Sequence, residues 1–391
     1  MQHGFGDAIE PMAVRMTTTL GGLTMSGPVL TASGCAASGR ELSQFFDLHV
    51  LGGMVTKSIM VNPRSGRPTP RMAETPSGML NSIGLQGPGI DAFIEKDLSW
   101  LAANGVRTIV SIAGTSVEDY VRLARRLMLE DAVAGLEVNI SCPNVESRGE
   151  VFACDPRSAA AVVGAVRSEV RSGVPVIAKL SPDVTDIVSI AGSVFDAGAD
   201  AVALINTLLG VVINQDTLRP ALGGITGGLS GPAIRPVAVR AVYQVRSAFP
   251  DASILGMGGI RTGADALEFI AAGASAVSVG TAIFNDPSAP ARVHRELRQL
   301  LAAKGIADIA EVIGIAHTPL STAPRTEALD EPETSSQQSA PIVEEIVIRT
   351  DVTETTYVVD MSGNDVDFDL IRSSEMPPES PAEKTAEMGP A

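Results

Sequence analysis

Glu137-Val138-Asn139-Ile140-Ser141-Cys142-Pro143-Asn144 closes an apolar run over residues 134–140 with a cluster of polar side chains. Buried parallel strands read as near-continuous apolar runs and deliver polar groups where they leave the sheet. Pro143 has no N–H to donate, so the strand ends there. Cys142, one residue earlier, is expected at the strand's exit, flanked by the amides of Asn139 and Asn144. An amide offers donor and acceptor together, which suits a flat ligand rich in carbonyl and N–H groups. An isolated cysteine beside a turn usually reads as a small buried apolar residue. The other strand ends of this chain weigh against that reading.

Similar apolar runs recur at residues 28–33, 54–58, 108–114, 135–141, 176–181, 201–207, 253–259 and 276–281, each ending in Gly, Ser, Thr, Asn or Lys. Helical patterns fall between most of them, at 117–129, 156–171, 186–197, 233–249, 263–272 and 289–303. Pro156 suits a first helical turn, and Gly198 and Gly273 suit helix ends. Strands alternating with helices imply parallel βα units, and eight units close into a TIM (β/α)8 barrel. Two short runs meeting at Gly21-Gly22 predict an N-terminal hairpin that could plug the barrel's floor.

The composition agrees with an α/β core. Of 391 residues, 45% are hydrophobic and only 4% aromatic, with 38 glycines. No run approaches the roughly 20 apolar residues of a membrane-spanning helix, and residues 1–15 lack a signal-peptide pattern. Cys35, Cys142 and Cys154 show no paired spacing, which points to a reducing cytoplasm and to no metal or iron–sulfur site in this chain. The four histidines are scattered, so a histidine base is not expected. Residues 318–391 hold 16 acidic and 4 basic side chains, leaving 29 and 25 for residues 1–317. The body is nearly neutral and the tail strongly acidic, and neither offers the basic face that nucleic acid requires. The tail reads as a largely disordered extension, with one alternating stretch at 342–360 that suits a hairpin. Two domains are therefore expected, 1–317 and 318–391.

Barrel function sits at the carboxyl ends of the strands. Those ends supply Ser33; Thr56, Lys57 and Ser58; Ser111; Asn139, Ser141 and Cys142; Lys179 and Ser181; Asn206 and Thr207; Gly258 and Gly259; Gly280 and Thr281. Glycine-rich turns after strands seven and eight, Gly256–Gly263 and Val279–Ala282 in the sequence, let backbone N–H groups approach an anion, the usual phosphate site of such barrels. Residues 223–231 are a further glycine-rich segment, read as a mobile loop or a phosphate clamp. Lys57 and Lys179, at the ends of apolar runs, could stabilise negative charge on a reduced flavin.

Several ordered motifs carry a resemblance: Thr56-Lys57-Ser58, Gly78-Met79-Leu80-Asn81-Ser82-Ile83-Gly84-Leu85-Gln86, Asn139-Ile140-Ser141-Cys142-Pro143-Asn144, Ile205-Asn206-Thr207-Leu208-Leu209-Gly210, Thr226-Gly227-Gly228-Leu229-Ser230-Gly231-Pro232 and Gly256-Met257-Gly258-Gly259-Ile260. From about residue 23 to residue 317 the chain resembles class 1 dihydroorotate dehydrogenase, in particular the catalytic subunit of the NAD-linked heteromeric subtype. The resemblance implies an FMN flavoprotein of pyrimidine biosynthesis that oxidises dihydroorotate to orotate. Cys142 would be the base. Lys57, Asn81, Ser82, Ile83, Gly84, Leu85, Asn139, Asn144, Asn206 and Thr207 would hold the pyrimidine. Ser33, Lys57, Ser58, Ser111, Asn139, Lys179 and Ile205 would line the flavin, with Gly231, Gly258, Gly259, Gly280 and Thr281 around its phosphate. Ser111 departs from the family's usual Asn. Segment 145–154, polar and glycine-containing, would be a lid, and Cys154 a bystander.

The resemblance further implies one FMN per chain, a homodimeric core and a partner subunit carrying FAD and a [2Fe–2S] cluster; relatives without that subunit use fumarate. The membrane-bound class has Ser at the position of Cys142 and an amphipathic extension, so a soluble enzyme is implied. The related dihydropyrimidine dehydrogenase barrels usually have His at the position of Asn144, which argues against uracil or thymine as substrate. A non-catalytic scaffold barrel is disfavoured by the intact cysteine, lysines and amides.

Overall fold

The computed structural model describes residues 6–141 and 155–318, together with the backbone of three strands nearer the C-terminus. Cys142, Asn144, Cys154 and the whole 145–154 segment lie outside the described residues. Two compact units divide the chain, Met1–Leu320 and Ser321–Ala391.

The first unit is built on eight parallel strands: β1 (Val29–Thr31), β2 (Met54–Val55), β3 (Thr108–Ile112), β4 (Val133–Asn139), β5 (Val176–Lys179), β6 (Ala201–Leu204), β7 (Ile254–Met257) and β8 (Ala276–Val279). They pair in the order β1-β8-β7-β6-β5-β4-β3-β2. A parallel bridge between Leu30 and Gly53 closes the ring, with Gly52 N donating to Val29 O at 2.9 Å. All eight expected strands are present, and the barrel is the one the alternation predicts.

Alternation along each strand divides the core in two. Leu30, Val55, Ile109, Ile177, Ala203, Leu255 and Ala276 point into the barrel. Leu20 and Met25, from the hairpin Thr18–Leu20/Leu23–Met25, join them and are fully buried. Thr18 Oγ1 donates to Ser275 O and Gly21 N to Ser253 Oγ, both 2.8 Å, so the hairpin closes the floor where β7 and β8 begin. The outward residues of the strands pack against the helices. Val117–Leu127 is typical: Ser116 caps it by accepting from Asp119 N, and Tyr120, Leu123, Ala124 and Leu127 form its buried stripe. The helical stretch between β2 and β3, absent from the expected helices, runs from Ile90 through a π-helical turn, Phe93–Leu98, to Ala103. Its buried Ile90, Phe93, Ile94, Leu98 and Leu101 carry the helical period across that turn.

An antiparallel sheet of Leu208–Gly210, Gly227–Ser230, Gly78–Asn81 and Met72–Thr75 is built from excursions after β2 and β6. The glycine-rich segment read as a loop or clamp is thus partly a strand. Gly228 has to be glycine, because a Cβ there would meet the side chain of Thr207 at 2.7 Å from its Cβ.

In the second unit Val343–Arg349 and Thr353–Asp360 form the expected antiparallel pair, and Asp367–Glu375 adds a third strand.

Candidate active site

Strands β1, β2, β4, β5, β6, β7 and β8 end on one cavity of about 840 Å³. Ser33, Lys57, Ser58, Asn139, Lys179, Ile205, Asn206, Thr207, Gly258, Gly259, Gly280 and Thr281 all line it. The antiparallel sheet and its flanking turns add Asn81, Ile83, Gly84, Leu85 and Gly231. Ser82 and Ser111 do not line the cavity: both are fully buried behind its wall.

The amides are held by a continuous set of hydrogen bonds. Asn139 Nδ2 donates to Ser58 Oγ at 2.9 Å, and Ser58 Oγ lies 2.8 Å from Ser111 Oγ. Ser111 Oγ donates to Glu137 Oε1 at 2.8 Å. On the other side Ser141 Oγ donates to Asn139 Oδ1 at 3.0 Å and accepts from Asn206 Nδ2 at 2.6 Å. Asn206 Oδ1 accepts from Thr207 N at 2.8 Å, which fixes that amide's orientation. Behind the wall, Tyr120 Oη donates to Asn139 O at 2.8 Å.

Two cations enter the cavity from the strand ends. Lys179, 5% exposed, donates to Ser33 Oγ at 2.8 Å and sits 3.8 Å from the carboxylate of Glu137. Lys57 is held below the usual lysine range, chiefly because burial disfavours its charged form. Cys35 lines the same cavity; desolvation pushes its thiol up to about 11, and Lys179 and Lys57 offset this only in part. At neutral pH Cys35 is therefore a thiol and not a thiolate.

The glycine rim leaves backbone exposed to a ligand. Gly231, Gly258 and Gly259 have φ of 97°, 130° and 79°, values that L side chains rarely adopt. A Cβ on Gly259 would come within 2.8 Å of Gly231 O, and one on Gly258 within 2.9 Å of Ala238 Cβ. Thr281 Oγ1 donates to Ser230 Oγ at 2.7 Å, tying the β8 turn to the covering sheet.

Glu137, Ser278 and Cys35 are among the residues at or beside this site that are absent from the expected set. Glu137 is fully buried, two positions before Asn139 on one strand. The period-two rule places both on the inward face, a signal present in the sequence. Ser278 lines the cavity, is 1% exposed, and its hydroxyl has no hydrogen-bond partner among the described residues. Cys35 follows the glycine after Ser33, in a segment where an apolar reading was the natural one.

Residues 15–301 match the family model described as dihydroorotate dehydrogenase. The chain belongs to that family. Among curated relatives, it is 52% identical over 306 residues to "Dihydroorotate dehydrogenase B (NAD(+)), catalytic subunit" of Desulforudis audaxviator, covering 78% of this chain and 99% of the relative. The protein of the same description from Geobacter sulfurreducens is 50% identical over 299 residues, covering 76% and 97%. A solved structure titled "Crystal structure of DHODH in complex with ferulenol from Eimeria tenella" shares the fold, with a TM-score of 0.66 at 24% identity, over 78% of this chain and 89% of that one.

The dihydroorotate dehydrogenase family implies a flavin, and the residues present fit one. The cavity is large enough, a glycine rim exposes backbone at one side, two lysines stand at another, and the buried Ser278 hydroxyl is left to bond a ligand. Among the described residues no helix is long and apolar enough to cross a membrane.

Proposed function

We propose that this chain is the FMN-dependent catalytic subunit that oxidises (S)-dihydroorotate to orotate in pyrimidine biosynthesis. The observation that carries this reading is the convergence of Lys57, Asn81, Asn139, Lys179, Asn206 and the glycine rim on one cavity at the carboxyl end of the barrel. The barrel of residues 1–317 would hold the flavin, and residues 318–391 would be an acidic extension.

The oxidation removes a proton from C5 and a hydride from C6. Bound FMN supplies the acceptor for the hydride. The base is Cys142, which follows Ser141 in the chain; an ordinary thiol pKa of ~8.5 leaves a usable thiolate fraction near neutral pH. Asn81, Asn139, Asn144, Asn206 and Thr207, with Lys57 and the 83–85 turn, would hold the ring so that proton and hydride leave from aligned positions. Lys57 and Lys179 place positive charge where the reduced flavin gains negative charge. Gly231, Gly258, Gly259, Gly280 and Thr281 would bind the phosphate through backbone and hydroxyl donors. Ser33, Ser58 and Ile205 would contact the flavin directly and Ser111 through Ser58.

The relatives' description as an NAD-linked catalytic subunit supports a partner that carries FAD and a [2Fe–2S] cluster. Such a cluster needs four thiolates, and this chain has three cysteines. A homodimeric core and a cytoplasmic location complete the reading.

Anaerobic addition of dihydroorotate to the purified protein should bleach its flavin absorption and release orotate. A colourless protein that takes up no FMN would sink the reading. NAD reduction should appear only when the flavin/iron–sulfur subunit is added.

A further inference from the structure

Glu137 is a carboxylate enclosed in the barrel wall, and the proposed reaction gives it no role. One oxygen, Oε1, accepts from Ser111 and faces Lys179; Oε2 has no partner among the described residues. Placing an acid there is costly unless it is paired and hydrogen-bonded, which raises the question of what it does.

The hydrogen bonds beside it have a direction. A carboxylate paired with a lysine can only accept. Ser111 must therefore spend its one proton on Glu137. Ser58, 2.8 Å away, must then donate to Ser111. Asn139 is left to present Nδ2, not Oδ1, to Ser58. At the far end Asn206, fixed by Thr207 N, presents Nδ2 to Ser141, and Ser141 gives its proton to Asn139 Oδ1. Both ends thus demand the same orientation of Asn139. Flipping that amide would leave Glu137 facing a hydroxyl lone pair and set Nδ2 of Asn139 against Nδ2 of Asn206, which lies 3.4 Å from the present Oδ1. A buried polar chain satisfied in only one direction is rigid in that direction.

We propose that Glu137 is a positioning residue: through Ser111 and Ser58 it locks the Asn139 amide in the single orientation that receives the pyrimidine. The role deepens the dihydroorotate dehydrogenase reading and rests on it. It also gives Ser111 a function that does not require contact with the flavin.

The test compares Ser111→Ala, Glu137→Gln and the double variant as flavin-loaded proteins, with orotate affinity measured by calorimetry and by the perturbation of the flavin spectrum. Ser111→Ala cuts the chain and leaves the Glu137–Lys179 pair in place. Measured per bound flavin, it should weaken orotate binding by about tenfold, the usual worth of one buried hydrogen bond. Glu137→Gln keeps the shape but loses the charge-assisted bond, and should weaken binding by at least roughly threefold. With the chain already cut, the second substitution should add less than about twofold, because coupled residues are non-additive. Turnover at saturating dihydroorotate should fall less than the apparent affinity.

Wild-type orotate affinity in either single variant, or additive losses in the double, overturns the proposal. Should Glu137→Gln fail to load flavin, Ser111→Ala decides alone: wild-type affinity in that variant overturns it. A parent protein that binds no orotate would instead refute the underlying functional reading.

Discussion

Asn206 Nδ2 stands 2.6 Å from Ser141 Oγ, so the end of β6 is tied to the end of β4 one residue before Cys142. The chain that leads from β4 to the proposed base is thereby held, at Ser141, by a residue proposed to bind substrate. Cys35, a thiol that lines the described cavity, is kept protonated by burial and is a poor competitor for the role of base. Cys142→Ser should therefore keep its flavin and its orotate affinity but lower the rate of flavin reduction at pH 7 by about 10²–10⁴, the worth of a general base. Because a serine hydroxyl is far less acidic, the residual rate should rise steeply with pH. Stopped-flow flavin reduction between pH 6 and 10 checks both, and a wild-type rate at pH 7 would remove Cys142 from the mechanism.

Lys179 and Glu137 form an ion pair whose side chains are 6% and 0% exposed. Breaking such a pair from one side leaves a buried charge uncompensated and typically costs ~3–5 kcal/mol. Lys179→Met is expected to lower the urea midpoint accordingly and to weaken flavin binding as well, since it also removes the 2.8 Å bond to Ser33. Adding Glu137→Leu to that variant should recover part of the stability but none of the flavin affinity. Full recovery of both would mean that Lys179 serves the fold alone.

How far these features can be read from the chain depends on whether they are local. The eight strands and six of the barrel helices follow from apolar runs and from punctuation such as Pro156, Gly198 and Gly273, each decided within a few residues. The site residues are legible because a barrel delivers strand ends to one face, so Lys57, Asn139, Lys179 and Asn206 need no further information to be brought together. The antiparallel sheet was not legible: pairing Gly228 with Asn81 joins segments 147 residues apart, and no local signal specifies the partner. Glu137 escaped for another reason. A lone acid in an apolar run reads as an interruption, and only the closed barrel brings it to Ser111 on β3 and Lys179 on β5.

Gly259 and Gly22 separate strain from obstruction. Both have positive φ, 79° and 87°. A Cβ on Gly22 would meet nothing within 4 Å, whereas one on Gly259 would press on the Gly231 carbonyl. Gly22→Ala should cost only the backbone term, ~1 kcal/mol, and leave the flavin in place. Gly259→Ala should lower flavin affinity by at least tenfold, since both turns of the proposed phosphate cradle must shift. Fluorescence titration of the flavin-stripped proteins distinguishes them, and equal affinities would exclude Gly259 from the cradle.

His294 sits on the helix Ala289–Ala303, with its Nδ1 buried and unpartnered among the described residues and its ring against Gly27. Burial, with a smaller contribution from Arg298, lowers its pKa from 6.5 to about 4. Between these values the unfolded chain binds a proton that the folded chain refuses, so stability must fall as pH drops through 6.5 towards 4. Above pH 6.5 His294 costs nothing; near pH 4 it removes roughly 3 kcal/mol, at 1.36 kcal/mol per pKa unit. His294→Gln lacks this linkage, although it loses some packing at every pH. The gap in unfolding free energy between wild type and His294→Gln should therefore narrow, and could reverse, between pH 7 and 4.5, as read from urea midpoints. The carboxylates titrate in both proteins and cancel in the difference. Parallel stability curves over that range would show that the His294 ring is protonated as readily in the folded protein as in the unfolded chain.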